Sequence, residues 1–323
     1  MYPVNEWGQL KKVIVGVADY ATLPEVDYSV RAVCHADKDD LLEIKVGPYP
    51  SEVIDQTNEE LEVFCNFLVG QGIEVLRPNR EPVKYYNYCP RDTVFVHKDI
   101  ALATPTPVIA RKDEYKSMAH HIDNLIVANR DYSHLDYDLR CVGNKDILAL
   151  KERVPLFDAA NVLRANDDLL YLVSNSGNEK GAEYLQEVVG SDTKVHIIRD
   201  IYSFMHIDST IAFLREGLML LNPSRIKDKS ILPAPFCNWD AVFAPEPIDK
   251  GHYPGICNSS PWGLNVNLLS INSDLAVLQQ DQHNLRVILE AQGIECVMMP
   301  LSHVRTFAGC FHCVTLDLDR DDT

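Results

Sequence analysis

The sequence Cys310-Phe311-His312-Cys313, close to the C-terminus, contains the residue type best suited to covalent chemistry. A cysteine thiolate is a strong nucleophile, and two cysteines three positions apart also suit a redox pair or a zinc site. We predict a β-strand here, and on a strand residues i and i+3 point to opposite faces, so only one cysteine can face a pocket. No second cysteine pair has ligand spacing, so no metal is expected. Cys313 is then either a nucleophile or a buried structural cysteine.

A histidine and two carboxylates could supply proton transfer. In a strand through Met205-His206-Ile207-Asp208, His206 and Asp208 share one face. A histidine beside a carboxylate suits a proton shuttle, whereas a lone histidine is more often a core residue. Asp158 lies among apolar and small residues, where an unpaired buried charge is costly. It therefore needs His206 or a bound cation as its partner, unless it only caps a turn.

Three further polar residues could bind a substrate. Asp92 could hold a cation, or it could form a surface pair with Arg91. Arg225 follows a predicted turn and could bind a carboxylate through two parallel hydrogen bonds, or lie exposed to solvent. Ser260, in a Ser-Ser pair, offers a hydroxyl group. The candidate residues thus combine a thiol, an imidazole, carboxylates, a guanidinium group and a hydroxyl.

These residues must be positioned by a repeated order of elements, which is strand, tight turn, strand, helix, strand. The clearest copy is predicted to contain a strand over Phe157–Arg164, a turn at 166–168, a strand over Leu169–Val173, a helix over Gly177–Val189 and a strand over Val195–Ile198.

Three other copies begin near Asp92, His206 and Leu264. In the latter two the first strand is predicted over Ile207–Leu214 and Leu264–Ile271, and the last copy is predicted to contain a helix over Gln282–Ala291. The copy that begins at Asp92 is predicted to contain a helix over Glu114–Asn129 and a strand over Tyr137–Cys141.

The fifth copy joins both chain ends. The lone strands Lys12–Val17 and Phe311–Leu318 are expected to pair, with a helix over Ser51–Val69 and a closing strand over Ile73–Leu76. Such a ring leaves few exposed strand edges, and equivalent positions of its repeats converge on the axis. The entry to the first strand of each copy holds a candidate polar residue, so we expect these residues to meet in one pocket; they are Asp92, Asp158, His206 with Asp208, Ser259-Ser260 and Cys313. With no linker in between, residues 1–323 are predicted to form a single domain.

Composition excludes several classes of function. The net charge is −17, which disfavours nucleic-acid binding and either serves solubility or attracts cationic substrates. The nine cysteines are an odd number without the density of a disulfide framework. No apolar stretch suits a membrane span, and the N-terminus lacks a secretion signal, so the cytoplasm is the expected location.

The motifs together resemble the amidinotransferase family, which includes glycine and inosamine-phosphate amidinotransferases. The resemblance covers most of the chain and follows the family's order of motifs, which are Asn5-Glu6-Trp7, Pro90-Arg91-Asp92, Phe157-Asp158-Ala159-Ala160, Met205-His206-Ile207-Asp208, Asn222-Pro223-x-Arg225, Ser259-Ser260 and Phe311-His312-Cys313. One departure is Ala308-Gly309-Cys310, where the family usually has glycines.

The resemblance implies an α/β fold, the five-fold pseudosymmetric propeller called a pentein. It also implies transfer of an amidino group from L-arginine through an adduct on the cysteine, with release of ornithine and without a metal or organic cofactor. Cys313 would be the nucleophile, and His206 the general acid and base beside Asp158. The guanidinium group would be held by Asp92 and Asp208, and the arginine carboxylate by Arg225 and Ser260.

Two alternatives stay open at this point, a hydrolase of the arginine deiminase type and a non-catalytic arginine-binding protein. The acceptor is predicted from charge to be a cationic diamine or polyamine such as putrescine or spermidine. A loop over Asp19–Asp40 would cover the pocket with its acidic side chains, which are Asp19, Glu25, Asp27, Asp37, Asp39 and Asp40. Neither a nucleic acid nor a membrane is expected as a partner, and a homo-oligomer is possible.

Overall fold

A computed structural model describes residues 2–36, 44–129, 131–144 and 147–321. The β-strands, in chain order, are β1 Leu10–Val15, β2 Thr22–Leu23, β3 Gly47–Pro48, β4 Glu74–Leu76, β5 Val94–His97, β6 Ile100–Ala103, β7 Ile126–Val127, β8 Val162–Ala165, β9 Asp168–Leu172, β10 Lys194–Ile198, β11 Ile211–Arg215, β12 Leu218–Leu221, β13 Asp240–Phe243, β14 Leu269–Asn272, β15 Leu275–Gln279, β16 Glu295–Met299 and β17 Thr315–Arg320.

The helices alternate with these strands. The α-helices are α1 Tyr28–Val33, α2 Ser51–Gly70, α3 Glu179–Val189, α4 Gly263–Val266, α5 His283–Glu290 and α6 Val304–Phe307. Short 3₁₀ helices occur at Pro90–Asp92, Ile109–Arg111, Glu114–Ser117, Ala119–His121, Tyr132–His134, Leu139–Cys141, Ala159–Asn161, Ile207–Ser209, Lys229–Ile231 and Phe236–Asn238.

In the part of the chain that the structure describes, the strands form five three-stranded sheets and one short two-stranded sheet, β2–β3. Each three-stranded sheet consists of an antiparallel pair extended by one parallel strand, as in β8–β9–β10. The sheet β17–β1–β4 joins the two chain ends, because β1 pairs antiparallel with β17 and parallel with β4. The predicted order of strands within the repeated unit, and its closure by the N-terminal strand, are therefore confirmed.

Three of the predicted helices form close to their expected bounds, as α2, α3 and α5. Each has an apolar stripe at helical spacing that faces its own sheet; on α2 the buried positions include Leu61, Phe64 and Leu68. After α5 the chain turns at Gly293, whose φ of +79° is a conformation that glycine adopts without strain.

The prediction of a helix over Glu114–Asn129 is wrong. The segment forms two short 3₁₀ helices and ends in β7. Ser117 donates from its hydroxyl to Asn87 and to the carbonyl of Glu114, and such side-chain bonds compete with a regular helix. The strand predicted over Tyr137–Cys141 is also replaced by a 3₁₀ turn.

The first strand of each unit begins later than predicted. The strands predicted from Phe157, Ile207, Leu264 and Phe311 begin instead at Val162, Ile211, Leu269 and Thr315, each after a helical turn. The candidate polar residues therefore lie in turns at the ends of strands, where backbone groups that the sheet does not use can be directed into a site. Within the described ranges, no helix combines the length and apolar character that crossing a membrane requires.

Candidate active site

Cys313 lies in the turn between α6 and β17, and its side chain is only 4% exposed. Its thiol donates to Oδ2 of Asp208 at 3.1 Å and accepts from Nδ2 of Asn267 at 3.0 Å. Asn267 follows α4, and its Oδ1 accepts from the backbone N–H groups of Cys310 and Cys313 at 3.0 and 3.1 Å. One amide side chain therefore fixes both the backbone and the sulfur of the candidate nucleophile.

The prediction that only one cysteine of the pair faces the pocket is wrong. Cys310 and Cys313 both line a cavity of about 60 Å³. The reason is local, because Val314 N–H donates to the carbonyl of Cys310, so the chain turns helically here instead of extending. On such a turn residues three apart share a side.

His206 lies between two carboxylates at the same cavity. Its Nε2 donates to Oδ2 of Asp158 at 2.9 Å, and its Nδ1 is 3.7 Å from Oδ1 of Asp92. Burial by itself would lower the pKa of His206, but the charges of Asp92 and Asp158 outweigh burial and raise that pKa to about 9. His206 is thus a protonated imidazolium at neutral pH and is able to donate a proton.

Asp92 is buried and does not form a surface pair with Arg91. Its Oδ2 accepts from Arg111 at 2.5 Å, and Arg111 in turn donates to Glu114 at 2.8 Å. Arg91 points elsewhere and binds Asp317. Arg111 therefore fixes the orientation of the Asp92 carboxylate, so that its Oδ1 atom faces His206.

Asp208 connects the candidate nucleophile to a second histidine. Its Oδ2 accepts from Nδ1 of His312 at 3.0 Å as well as from the thiol of Cys313. Burial would raise the pKa of Asp208, but His312 and His206 lower it to about 2, so the carboxylate is charged. The pKa of the Cys313 thiol is raised well above its usual range by its proximity to Cys89, by burial and by the charge of Asp208. A cation bound beside Asp208 would offset the last of these effects and favour the thiolate.

Arg225 and Ser260 lie farther out. Arg225 lines a second cavity of about 350 Å³, which shares Tyr202, Met205 and Ser260 with the inner one. The guanidinium group of Arg225 lies over the ring of Tyr202 and donates to Ser209 at 2.8 Å. Arg225 is therefore held in place at the outer cavity and is not free in solvent.

The structure brings the seven sequence-predicted residues to one connected pair of cavities. His206, Asp208, Ser260 and Cys313 line the inner cavity, Asp92 and Asp158 contact it through His206, and Arg225 lines the outer cavity. Sequence reasoning gave no role to the partners Asn267, Arg111, His312, Cys89 and Arg305. His312 adjoins Cys313 and could have been noticed, whereas Asn267 was assigned to a strand interior and its role depends on contacts that only the fold creates.

This arrangement suits attack on a planar cation. Carboxylates can orient and retain a guanidinium group, a thiol lies within the same cavity, and a protonated imidazole is available for a leaving nitrogen.

Comparison with known proteins agrees with this chemistry. No protein-family profile matches the chain. The chain is 37% identical to an inosamine-phosphate amidinotransferase of Streptomyces glaucescens, over 98% of this chain and 95% of that protein. It is 27% identical to an L-arginine:L-lysine amidinotransferase of Pseudomonas savastanoi pv. phaseolicola, over 98% of this chain and 93% of that protein.

Solved structures are also similar to this chain, and they include an amidinotransferase. The inosamine-phosphate amidinotransferase of Streptomyces griseus superposes with a TM-score of 0.89 at 36% identity, covering 99% of this chain and 96% of that chain. DDAH from Pseudomonas aeruginosa, at 11% identity, shares the fold alone, with a TM-score of 0.63 over 96% of this chain and 100% of that chain. The identity to the first relative, over nearly the whole of both chains, shows that this chain belongs to the amidinotransferase family and is a transferase.

Proposed function

We propose that this enzyme moves the amidino group of L-arginine to a primary amine through a covalent adduct on Cys313 and releases ornithine. The observation that carries the proposal is the contact of the Cys313 thiol with the charged carboxylate of Asp208, in the cavity that His206 also lines.

Binding of the guanidinium group is the first step. The Oδ1 atoms of Asp92 and Asp158, next to His206, have no hydrogen-bond partner among the described residues. A buried carboxylate oxygen without a partner is costly, so a donor-rich cation is favoured here. Together with Asp208, these groups would hold and orient the guanidinium group, while Arg225 and Ser260 would bind the arginine carboxylate at the outer cavity.

The first half-reaction breaks the bond between the amidino carbon and the side-chain nitrogen of ornithine. When the cation binds, the Cys313 thiol releases its proton to solvent, because His206 is already protonated. The thiolate then attacks the amidino carbon, and the electron pair of the breaking C–N bond goes to the nitrogen. The imidazolium of His206 protonates that nitrogen, so ornithine leaves as a neutral amine.

The second half-reaction reverses these roles. The acceptor amine attacks the amidino carbon of the adduct, neutral His206 takes its proton, and the C–S bond breaks to restore the thiolate. The product is a new guanidino compound, and His206 is again protonated for the next turnover.

For the acceptor, the structure offers basic side chains. The outer cavity is lined by both Arg225 and Arg305. Arg305 donates to the carbonyl of Ser259 at 3.2 Å and pairs with Asp249. These guanidinium groups offer hydrogen-bond donors to an amine that also carries a carboxylate or phosphate, and they offer no acceptor to the second ammonium group of a dication.

The predicted diamine or polyamine acceptor has no support from the relatives, whose names specify inosamine phosphate and lysine. Two acidic side chains of the loop proposed to bind it have other partners in the structure. Asp27 caps α1, and Asp19 is 3.6 Å from Arg80, while Asp37, Asp39 and Asp40 lie outside the described residues. We therefore propose an amine with an anionic group, and putrescine and spermidine become the comparison compounds.

The decisive experiment incubates the enzyme with arginine alone and then with each amine. Ornithine release that depends on the amine supports the proposal, whereas citrulline formed without any amine indicates a hydrolase. Mass spectrometry of the enzyme quenched during turnover should show an amidino adduct on Cys313. Cys313→Ala should abolish transfer while arginine binding persists, and near-normal activity of this variant would end the mechanism.

We also propose that the five sheets form a five-fold pseudosymmetric propeller within one domain over residues 1–323. The repeated strand order, the joining of the chain ends in one sheet and the likeness to DDAH support this arrangement. A crystal structure in which one axis relates all five sheets would be the test.

A further inference from the structure

A second cysteine lies directly against the candidate nucleophile. Cys89 precedes the 3₁₀ turn Pro90–Asp92, and its side chain is 2% exposed. Cys89 and Cys313 belong to the same buried cluster, and Cys89 is close enough to raise the pKa of the Cys313 thiol. The two residues are far apart in the sequence, and the fold alone brings these sulfur atoms together.

Gly309 shows how tightly the two cysteines are packed. A Cβ atom at this position would lie 2.7 Å from the Cys89 sulfur and 2.9 Å from the Cys313 Cβ. Only a glycine therefore fits, and no side chain can stand between the two cysteines at this point. Tyr88 fixes the contact further, because its hydroxyl donates to the carbonyl of Gly309 at 2.8 Å.

Cys310 is the competing partner, because it lines the same cavity as Cys313 and lies three residues away. Its backbone N–H is bound by Asn267, and burial raises the pKa of its thiol to about 12. Cys89 places its sulfur beside the Cys313 side chain at Gly309, and its proximity is the first cause of the raised pKa of the Cys313 thiol. The geometry therefore favours Cys89 over the neighbouring cysteine.

We infer that Cys89 is a resolving cysteine, which forms a reversible disulfide with Cys313 when a hydroperoxide oxidises the nucleophile. The small thiolate fraction of Cys313 attacks one peroxide oxygen, the O–O bond breaks, and Cys313 sulfenic acid and water form, while further thiol ionises to replace the thiolate consumed. The Cys89 sulfur then attacks the Cys313 sulfur, the S–O bond breaks, and a second water leaves. Two thiols are oxidised and one peroxide is reduced to two waters.

The site admits such a reagent. A cavity of about 60 Å³ has room for hydrogen peroxide, since a water molecule in the liquid occupies about 30 Å³. A disulfide at this position would remove the nucleophile from the reaction, and it would also prevent irreversible oxidation of Cys313 to the sulfinic acid. A dithiol would restore both thiols.

The test treats the purified enzyme with hydrogen peroxide, blocks the remaining thiols by alkylation and maps the digested protein by mass spectrometry. We expect a peptide pair linked through Cys89 and Cys313, which separates on reduction with dithiothreitol. This readout does not depend on amidino transfer, so it stands apart from the outcome of the proposed function.

Two variants make the test specific. In Cys310→Ser the same link should form as in the wild type. In Cys89→Ser, peroxide should convert Cys313 to sulfinic acid. Dithiothreitol should then restore only a small part of that variant's own starting activity, whereas it should restore most of the starting activity of the wild type. A Cys310–Cys313 link, or a wild-type Cys313 that is overoxidised or unmodified without any link to Cys89, would overturn the inference.

Discussion

At the scale of single residues, the site is governed by the charges around one sulfur atom. Cys89, burial and the charge of Asp208 raise the pKa of the Cys313 thiol, and Asp208 is also a carboxylate that we propose to hold the cationic substrate. In the proposed mechanism the Cys313 thiol therefore stays protonated in the free enzyme, and a bound guanidinium group should generate the thiolate. The Cys313 thiol should therefore react slowly with alkylating reagents when no substrate is bound, and the rate of alkylation measures this.

Removing the charge of Asp208 should make the free thiol more reactive while impairing transfer. In Asp208→Asn the pKa of Cys313 falls, and each unit gives about tenfold more thiolate as long as the thiol is mostly protonated. Alkylation of Cys313 by iodoacetamide at pH 8, followed on its own peptide, should be faster than in the wild type. Asp167→Asn, a surface change of equal charge, should leave the rate as it was. Equal or slower alkylation in Asp208→Asn would contradict the assignment.

His206 should determine the alkaline limit of the first half-reaction. With its pKa raised to about 9, the imidazolium is the proton donor below that pH, and ornithine release in a single turnover should decline above it. Protonated His206 also stabilises the folded protein, because its pKa is higher in the folded than in the unfolded state. This contribution is fully present below the unfolded pKa of about 6.5 and is lost as the pH rises through about 9.

The variant His206→Asn should lower both half-reactions by about 10² to 10⁴-fold and should lose the decline near pH 9. Circular dichroism would confirm that the variant is folded. A loss well under tenfold in the folded variant would indicate that the residue is structural.

At the scale of elements, turns between helices and strands carry the site. The segment after α4 and the segment after α6 are joined by Asn267, which accepts from two backbone N–H groups and donates to the Cys313 sulfur. A buried N–H left without an acceptor costs about 1–3 kcal/mol. This side chain therefore links the stability of the turn to the position of the nucleophile.

We expect Asn267→Ala to lower both the free energy of unfolding, by about 2–4 kcal/mol, and kcat. Asn265→Ala is the matched control, since Asn265 belongs to the same segment and donates to the carbonyl of Pro245 at 2.7 Å, away from the sulfur. The control should lose stability with little change in kcat. If both variants lose kcat equally, Asn267 acts only through general stability.

At the scale of the whole molecule, a buried ion cluster joins distant parts of the chain. Asp317 on β17 accepts from Arg91 at 2.5 Å, from Arg164 at 2.7 Å and from Arg320 at 2.7 Å. Glu6 near the N-terminus binds Arg164 through two oxygens. The cluster thereby ties both chain ends to β8 and to the turn that carries Asp92.

Asp317→Asn should destabilise the protein by about 3–5 kcal/mol, because buried guanidinium groups lose their shared counter-charge. Urea unfolding would measure this change. Asp319→Asn, an exposed position on the same strand, should change stability by no more than about 0.5 kcal/mol. Similar small effects in both variants would show that the cluster contributes little to the fold.

Sequence pattern was sufficient to predict the repeated unit, the pairing of the terminal strands and the types of the candidate reactive residues. Alternating apolar positions and turn residues are local properties, so strands β8–β12 and helices α2, α3 and α5 could be located from them. The local pattern gave a wrong prediction at Glu114–Asn129, where Ser117 bonds to Asn87 of a distant segment and to the carbonyl of Glu114, contacts that compete with a regular helix.

The side-chain contacts of the candidate site depend on long-range packing. The contacts of Cys313 with Cys89, Asp208 and Asn267 join segments far apart in the chain, and no periodicity specifies them. The charges of Asp92 and Asp158 raise the pKa of His206 against the effect of its burial. The pKa of Cys313 is raised by its proximity to Cys89, by burial and by the charge of Asp208, which come together only in the fold. The second arginine of the outer cavity likewise became visible only when the segment containing Arg305 packed beside Arg225, because a side chain's electrostatic environment is a property of the folded chain.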